Sequence, residues 1–237
     1  MKKKIILSLL TLVFLFGIIY SLSKIITWKK DVDTNTKIQV KLEEYINKDK
    51  VEFNTLKKKN EDTIAIIKVN NTNINYVVVK GNDNEYYLNH NFNKEKNVAG
   101  WIFADYRNKV DETDKNLVIY GHNMKDGSMF DSLINVLKKE WYTNEDNHIV
   151  KLITEKGYYN YKVFSSYSIK AEDYYINTDF NNDEEYKKFL NTIKNRSIYN
   201  YNEEVNESDK ILTLSSCIGD GKNRVVLHSK LIDKEDF

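Results

Sequence analysis

The pattern of apolar and polar positions divides the chain into three stretches. Lys2, Lys3 and Lys4 precede a run from Ile5 to Ser23 without one charged side chain, and apolar character continues to Ile26. Those nineteen residues, at a rise of ~1.5 Å each, roughly match a ~30 Å hydrocarbon core. The lysines predict a cytoplasmic N-terminus, with everything after Trp28 outside. A cleaved signal peptide competes with a retained anchor. Its apolar core is shorter and ends at a small-x-small site, for which Ser21 and Ser23 make a weak match. The retained anchor is the favoured reading.

Residues 29–60 are polar and lysine-rich. Ile38, Leu42 and Tyr45 recur at i, i+4 and i+7, which predicts one amphipathic helix, either packed on the main domain or acting as a stalk. From Thr63 the period shortens. Thr63–Val69, Ile74–Val79, Gly100–Ala104, Leu117–Tyr120, His148–Ile153, Tyr158–Phe164, Ile211–Ser215 and Arg224–His228 are short and rich in β-branched and aromatic residues, as strands are. Gly157 marks a hairpin turn between the fifth and sixth. Two helices interrupt the strands. Ser128–Lys139 carries Phe130, Leu133, Ile134 and Leu137 on one face, with Ser128 and Asp131 as a capping pattern. Asp183–Asn195 carries Tyr186, Phe189, Leu190 and Ile193, with three acids in its first turn. Eight strands with inserted helices predict a mainly β fold, a closed or nearly closed barrel. The expected organisation is a cytoplasmic tail (1–4), a transmembrane segment (5–26), a helical extension (27–60) and the barrel domain (61–237).

Composition narrows the function. The 36 basic and 35 acidic residues nearly cancel to a net charge of +1, so nothing electrostatic favours nucleic acid as a partner. No His/Cys/Asp/Glu cluster has metal-ligand spacing, and no Gly-rich phosphate loop is present, so neither a metal nor another cofactor is expected. The chain has one cysteine, which excludes an internal disulfide and, in a domain outside the cell, flags a reactive thiol.

That cysteine, Cys217, follows a predicted strand and precedes the turn-forming Ile218-Gly219-Asp220-Gly221. A thiolate nucleophile needs help to ionise at neutral pH. Arg224 opens the next strand, and a hairpin would bring it back beside Cys217. The plainer alternative is a buried cysteine packed as a small hydrophobe. Among four histidines, His122 sits at a loop mouth after a strand, a common setting for a catalytic side chain. His228 shares a face with Arg224 but lies ~13 Å along the strand. His90 and His148 have polar neighbours in sequence and are expected at the surface.

Ile211-Leu212-Thr213-Leu214-Ser215-Ser216-Cys217, followed by Arg224-Val225-Val226-Leu227-His228, resembles the sortase signature, in which a Thr-Leu-x-Thr-Cys strand end precedes an arginine on the next strand. Ser216 replaces the usual threonine. Leu117–Met124 resembles the family's catalytic histidine segment. Gly127–Leu133 and Ala99–Asn108 resemble class B sortases, as do the Asp183–Asn195 helix and the N-terminal helix. The likeness spans about residues 40–235. It implies an eight-stranded sortase-type β-barrel with inserted helices and an N-terminal helical extension. It also implies a cysteine transpeptidase in which the Cys217 thiolate attacks the threonine carbonyl of a sorting motif on a secreted protein. Arg224 would stabilise the oxyanion and His122 would move the protons. A cell-wall peptide amine would resolve the thioester. The implied motif is Asn-Pro-x-Thr-Asn-like or Ser/Pro-Pro-x-Thr-Gly-like, bound by Asn84, Leu88, Tyr175, Ile176 and Ser215. Ala171 and Ile218 stand where related enzymes can carry polar residues. The implied location is the cell membrane, single-pass, with the catalytic domain extracellular. A membrane-tethered, non-catalytic binding module is the competing class, and hydrolysis competes with transfer.

Overall fold

The computed structural model describes residues 2–46, 51–111, 113–218 and 221–237, without the side chains of Lys2, Cys217 and Ile218. Helix α1 runs unbroken from Lys2 to Ile46 and is followed by the short α2, Phe53–Lys59. The side chains of 3–28 are almost all exposed. From Val32 onward, Val32, Asn35, Ile38, Leu42 and Ile46 are buried, recurring every three or four residues as one helical stripe does. Polar clasps secure the same face. Asn35 Nδ2 donates to the Gly100 carbonyl at 2.9 Å, Gln39 Nε2 to the Asn75 carbonyl at 2.7 Å, and the Val98 amide to Asp31 Oδ2 at 2.9 Å. This part of the extension packs on the barrel rather than standing off as a stalk.

The strands are β1 (Thr63–Val69), β2 (Asn75–Val79), β3 (Phe103–Ala104), β4 (Asn116–Gly121), β5 (Ile149–Thr154), β6 (Gly157–Lys170), β7 (Ile211–Ile218) and β8 (Asn223–Asp236). They close in the order β1-β2-β3-β4-β7-β8-β6-β5, with β5 returning to β1. The β2–β3 and β4–β7 pairs are parallel and the rest antiparallel. Ile66, Val77, Ile119, Leu152, Val163, Leu214 and Leu227 belong to the core. Helix α4 (Asp183–Asn195), after the short helix α3 (Lys139–Tyr142), has the predicted bounds. Asn182 caps it by accepting from the Glu185 amide, and Tyr186, Phe189, Leu190 and Ile193 cover a second apolar cluster with Phe164, Tyr167 and Val226.

Three expectations need correction. The segment expected as an α-helix over 128–139 is a 3-10 helix, Asp131–Leu137, leading into α3. Its most buried residues are Phe130, Leu133 and Val136, spaced by three, the period of the tighter helix. Ser128 does not cap it: the Ser128 hydroxyl donates to Asp126, and Phe130 takes the cap position. Strand β3 is shorter than Gly100–Ala104, because Gly100 has φ +57°, outside the strand region. Strands β6 and β8 continue well past Phe164 and His228. Their continuations are largely polar, so partner hydrogen bonds rather than hydrophobic pattern define them, and register shifts at Asn160/Tyr161 and Val163/Ser165 bend the pair around the barrel. The expected hairpin glycine, Gly157, opens β6, where a Cβ would collide with the Glu235 carbonyl.

Candidate active site

Strand register brings the three candidate residues to one end of the barrel. In the parallel β4–β7 pair Gly121 lies opposite Ser216, so His122 and Cys217 follow at adjacent positions. In the antiparallel β7–β8 pair Cys217 lies directly opposite Arg224. The Cys217 side chain and residues Gly219 and Asp220 of the expected turn lie outside the described residues. Arg224 is half-buried; its Nη1 donates to the Gly221 carbonyl and, at 3.2 Å, to that of Asn223.

His122 is held by its surroundings. A Cβ at Gly121 would sit 2.5 Å from Ile102 and 2.6 Å from Phe130, so only glycine lets β4 end against these side chains. The Phe130 amide donates to the His122 carbonyl at 2.8 Å. His122 Nε2 is 2.7 Å from the Leu88 carbonyl. A carbonyl only accepts, so Nε2 carries a proton and Nδ1 is the nitrogen left for exchange. The Leu88 carbonyl is itself fixed: Gly100 packs so close that a Cβ there would lie 2.8 Å from it.

These residues open on a cleft of about 510 Å³. Asn84, Leu88, Tyr175, Ile176 and Ser215 all line it, with Tyr120, Ala171 and Arg224. Tyr175 and Ser215 bond through their hydroxyls at 2.9 Å, tying the 174–176 turn to β7 two residues before Cys217. Ala171 is exposed at the cleft. Sequence reasoning missed a network behind the cleft. Tyr120 donates to Asp105 at 2.7 Å, Asn84 donates to the same carboxylate at 2.9 Å, and Arg107 grips it through Nε and Nη2. Burial alone would raise the Asp105 pKa, but hydrogen bonds and charge from Arg107 outweigh it and hold the carboxyl below its ordinary range. The available signal was an Asp and an Arg two apart within Ala99–Asn108.

The remaining histidines do structural work. His228 is fully buried between Tyr167 OH on Nε2 and Thr213 Oγ1 on Nδ1, each at 2.8 Å. Thr213 donates its one hydroxyl proton to Asn116, so Nδ1–H of His228 is the donor to Thr213. Burial, with the Arg196 charge, pushes the His228 pKa down to about 3. His90 is half-buried, stacked on Tyr86. His148, expected at the surface, is buried: Nε2 reaches the Tyr142 carbonyl at 2.8 Å and its ring packs among Trp141, Tyr142 and Tyr201. Its neighbours in space are aromatic although those in sequence are polar, and burial lowers its pKa. Among the described residues no three His, Cys, Asp or Glu are grouped to hold a metal ion.

A family profile described as the Sortase domain matches residues 67–232, well over half of the chain, taking in the end of β1, all of β2 to β7 and most of β8. The chain belongs to the sortase family. Curated relatives point to one branch of it. Sortase B of Staphylococcus aureus is 38% identical over 76% of this chain and 75% of the relative. Sortase B of Listeria monocytogenes is 39% identical over 77% and 75%. Among solved structures, sortase B from Bacillus anthracis in complex with AAEK1 superposes with TM-score 0.79 at 35% identity, covering 86% of this chain and 99% of that one. A Staphylococcus aureus sortase B–substrate complex has TM-score 0.76 at 35% identity over 86% and 97%. A sortase B complexed with triglycine has TM-score 0.77 at 35% identity over 86% and 98%. The closed barrel is the sortase fold, and this sortase is a cysteine transpeptidase of the B type.

Proposed function

We propose that this sortase cleaves an Asn-Pro-x-Thr-Asn-like or Ser/Pro-Pro-x-Thr-Gly-like motif of secreted proteins after threonine and joins the threonine carbonyl to a cell-wall peptide amine. The observation that carries the assignment of residues is the strand register, with Cys217 opposite Arg224 and one step beyond the β4 end that leads to His122. The Cys217 thiolate adds to the threonine carbonyl. Arg224 donates to the oxyanion that forms. His122 protonates the departing amine, the C–N bond breaks and a thioester remains. An incoming amine then adds to the thioester, His122 takes its proton, and the thiolate leaves. The cleft residues Asn84, Leu88, Tyr175, Ile176 and Ser215 hold the motif. The triglycine and substrate complexes of related sortases B support an amine acceptor and a peptide donor.

Helix α1 fits a single-pass anchor with the N-terminus inside, residues 5–26 in the bilayer and the barrel outside. Among the described residues one helix is long and apolar enough to span a membrane, and Lys2–Lys4 precede its apolar run. Mass spectrometry of the barrel domain mixed with either motif peptide, with and without triglycine, tests the chemistry. The expected products are a thioester on Cys217, a peptide ending at threonine, and a threonyl-glycine ligation product when the amine is present. Cleavage at another bond, or no adduct on Cys217, would overturn the assignment; threonine-ended acid as the sole product despite triglycine would make the enzyme a hydrolase.

A further inference from the structure

Just behind the cleft, Asp105 is fully buried, yet its carboxylate receives five donors: the backbone amide, Nε and Nη2 of Arg107, Asn84 Nδ2 and the Tyr120 hydroxyl, all at 2.7–3.0 Å. Arg107 does not line the cleft, but its Nη2 also reaches the Ile176 carbonyl at 2.9 Å. One ion pair therefore connects the Asn84 segment, strand β4 two residues before His122, and the turn carrying Tyr175 and Ile176.

The pair also determines which polar atoms the cleft presents. Asn84 Oδ1 accepts from the Tyr106 amide at 3.0 Å while its Nδ2 donates to Asp105. Its amide has a single orientation, with one N–H remaining for the cleft. Tyr120, which lines the cleft, spends its only proton on Asp105, so its phenolic oxygen can serve only as an acceptor. A neutral side chain at 105 would release both restraints. A loose Arg107 would release the 174–176 turn.

We propose that the Asp105–Arg107 pair is a positioning brace of the sortase cleft, holding its walls at one spacing and fixing the polarity that Asn84 and Tyr120 offer to the peptide. The proposal rests on the cleft being the peptide site. Neither residue touches the reacting atoms, so the brace acts on binding rather than on the thiol.

The test is steady-state kinetics on quenched Asn-Pro-Ala-Thr-Asn and Ser-Pro-Ala-Thr-Gly peptides, with Cys217 alkylation by iodoacetamide as a peptide-independent measure of the thiol. Arg107→Met should raise KM about tenfold or more while kcat changes less than ~3-fold, the mark of lost binding rather than lost transition-state contact. Alkylation should keep its wild-type rate. Arg107→Lys, which preserves charge but cannot span Asp105 and the Ile176 carbonyl with a planar fork, should fall between. Asp105→Asn should match Arg107→Met, and the double variant should be no worse than the poorer single, because both remove one unit. If Arg107→Met does not fold, the Lys variant carries the KM comparison. A KM within ~2-fold of wild type in the folded variants, or equal losses in kcat and alkylation rate, would overturn the brace. Failure of the wild type to cleave either peptide would instead overturn the peptide-site reading, and the brace with it.

Discussion

At the residue scale, Arg224 and the histidines separate chemistry from structure. A guanidinium offers directed planar donors that an ammonium lacks. If Arg224 binds the oxyanion, Arg224→Lys should slow single-turnover acylation by about 10²–10³-fold, comparable to losing one oxyanion donor, with little change in melting temperature. Near-normal acylation would remove that role and leave Cys217 untouched. His122→Ala should abolish turnover and leave stability nearly unchanged, since the ring is half-buried with one bond to a carbonyl. His228→Ala should act in the opposite way. It opens a cavity, leaves the Tyr167 hydroxyl without its acceptor and takes from Thr213 the donor that His228 supplied, although Thr213 keeps its bond to Asn116, costing about 2–4 kcal/mol of stability. Thermal melts and peptide cleavage on the same samples check both. The His228 pKa lies near 3 in the fold, well below the unfolded value of about 6.5. Its stabilisation is therefore present above pH ~6.5 and is lost as pH falls toward 3, because the unfolded chain takes up the proton first. His228→Gln should flatten that part of the stability–pH curve; an unchanged slope between pH 6.5 and 4 would refute the assignment.

At the element scale, Gly100 lets neighbouring segments approach. Gly100 has φ +57°, and a Cβ there would meet the carbonyls of Tyr87 and Leu88. The Leu88 carbonyl accepts from His122, so strain at Gly100 should travel to the imidazole. Gly100→Ala should cost more than ~1 kcal/mol, the usual penalty for alanine where φ is positive, and should lower kcat. The measurement pairs a denaturant melt with the pH dependence of cleavage. A destabilised variant with wild-type kcat would uncouple the turn from His122. The 3-10 helix at Asp131–Leu137 shows why element type was harder to read than element position. Phe130, Leu133, Ile134 and Leu137 fit an α-helical face, while the burial of Val136 in place of Ile134 depends on how the segment lies against β6.

At the scale of the molecule, α1 has two environments. Residues 3–28 make no buried contact with the barrel, whereas Val32, Ile38, Leu42 and Ile46 pack on it. Deleting residues 1–27 should shift the melting temperature by less than ~2 °C, since no stabilising burial is lost. Deleting through residue 46 removes four buried aliphatic side chains and the apolar contact they make with the barrel, at ~1.5–3 kcal/mol each, and should lower the melting temperature by ~10 °C or more. Scanning calorimetry of the two truncations decides this; equal melting temperatures would mean that the packed stretch adds nothing to the barrel.

Much of this protein was legible in the sequence because its signals are local. A run of uncharged residues, an alternating β pattern, the α4 face and the strand-end Cys217 with Arg224 seven positions on all lie within short windows. A tight hairpin between β7 and β8 leaves little choice of register, so the Cys217–Arg224 pairing followed from chain connectivity. Other features depended on residues far apart in the chain. The parallel β4–β7 pairing that brings His122 beside Cys217 joins strands about 95 residues apart, and the motif resemblance, not the pattern, anticipated it. The burial of His148 and the capture of His228 by Tyr167 and Thr213 arise from neighbours that only closure of the barrel supplies. The same holds for Asp105: its sequence neighbours mark it as a loop acid, and only the folded cleft surrounds it with donors from Asn84, Arg107 and Tyr120. Composition and periodicity report which face of a segment avoids water. They do not report what that face meets, because a buried polar group is satisfied by partners whose position the tertiary fold alone determines.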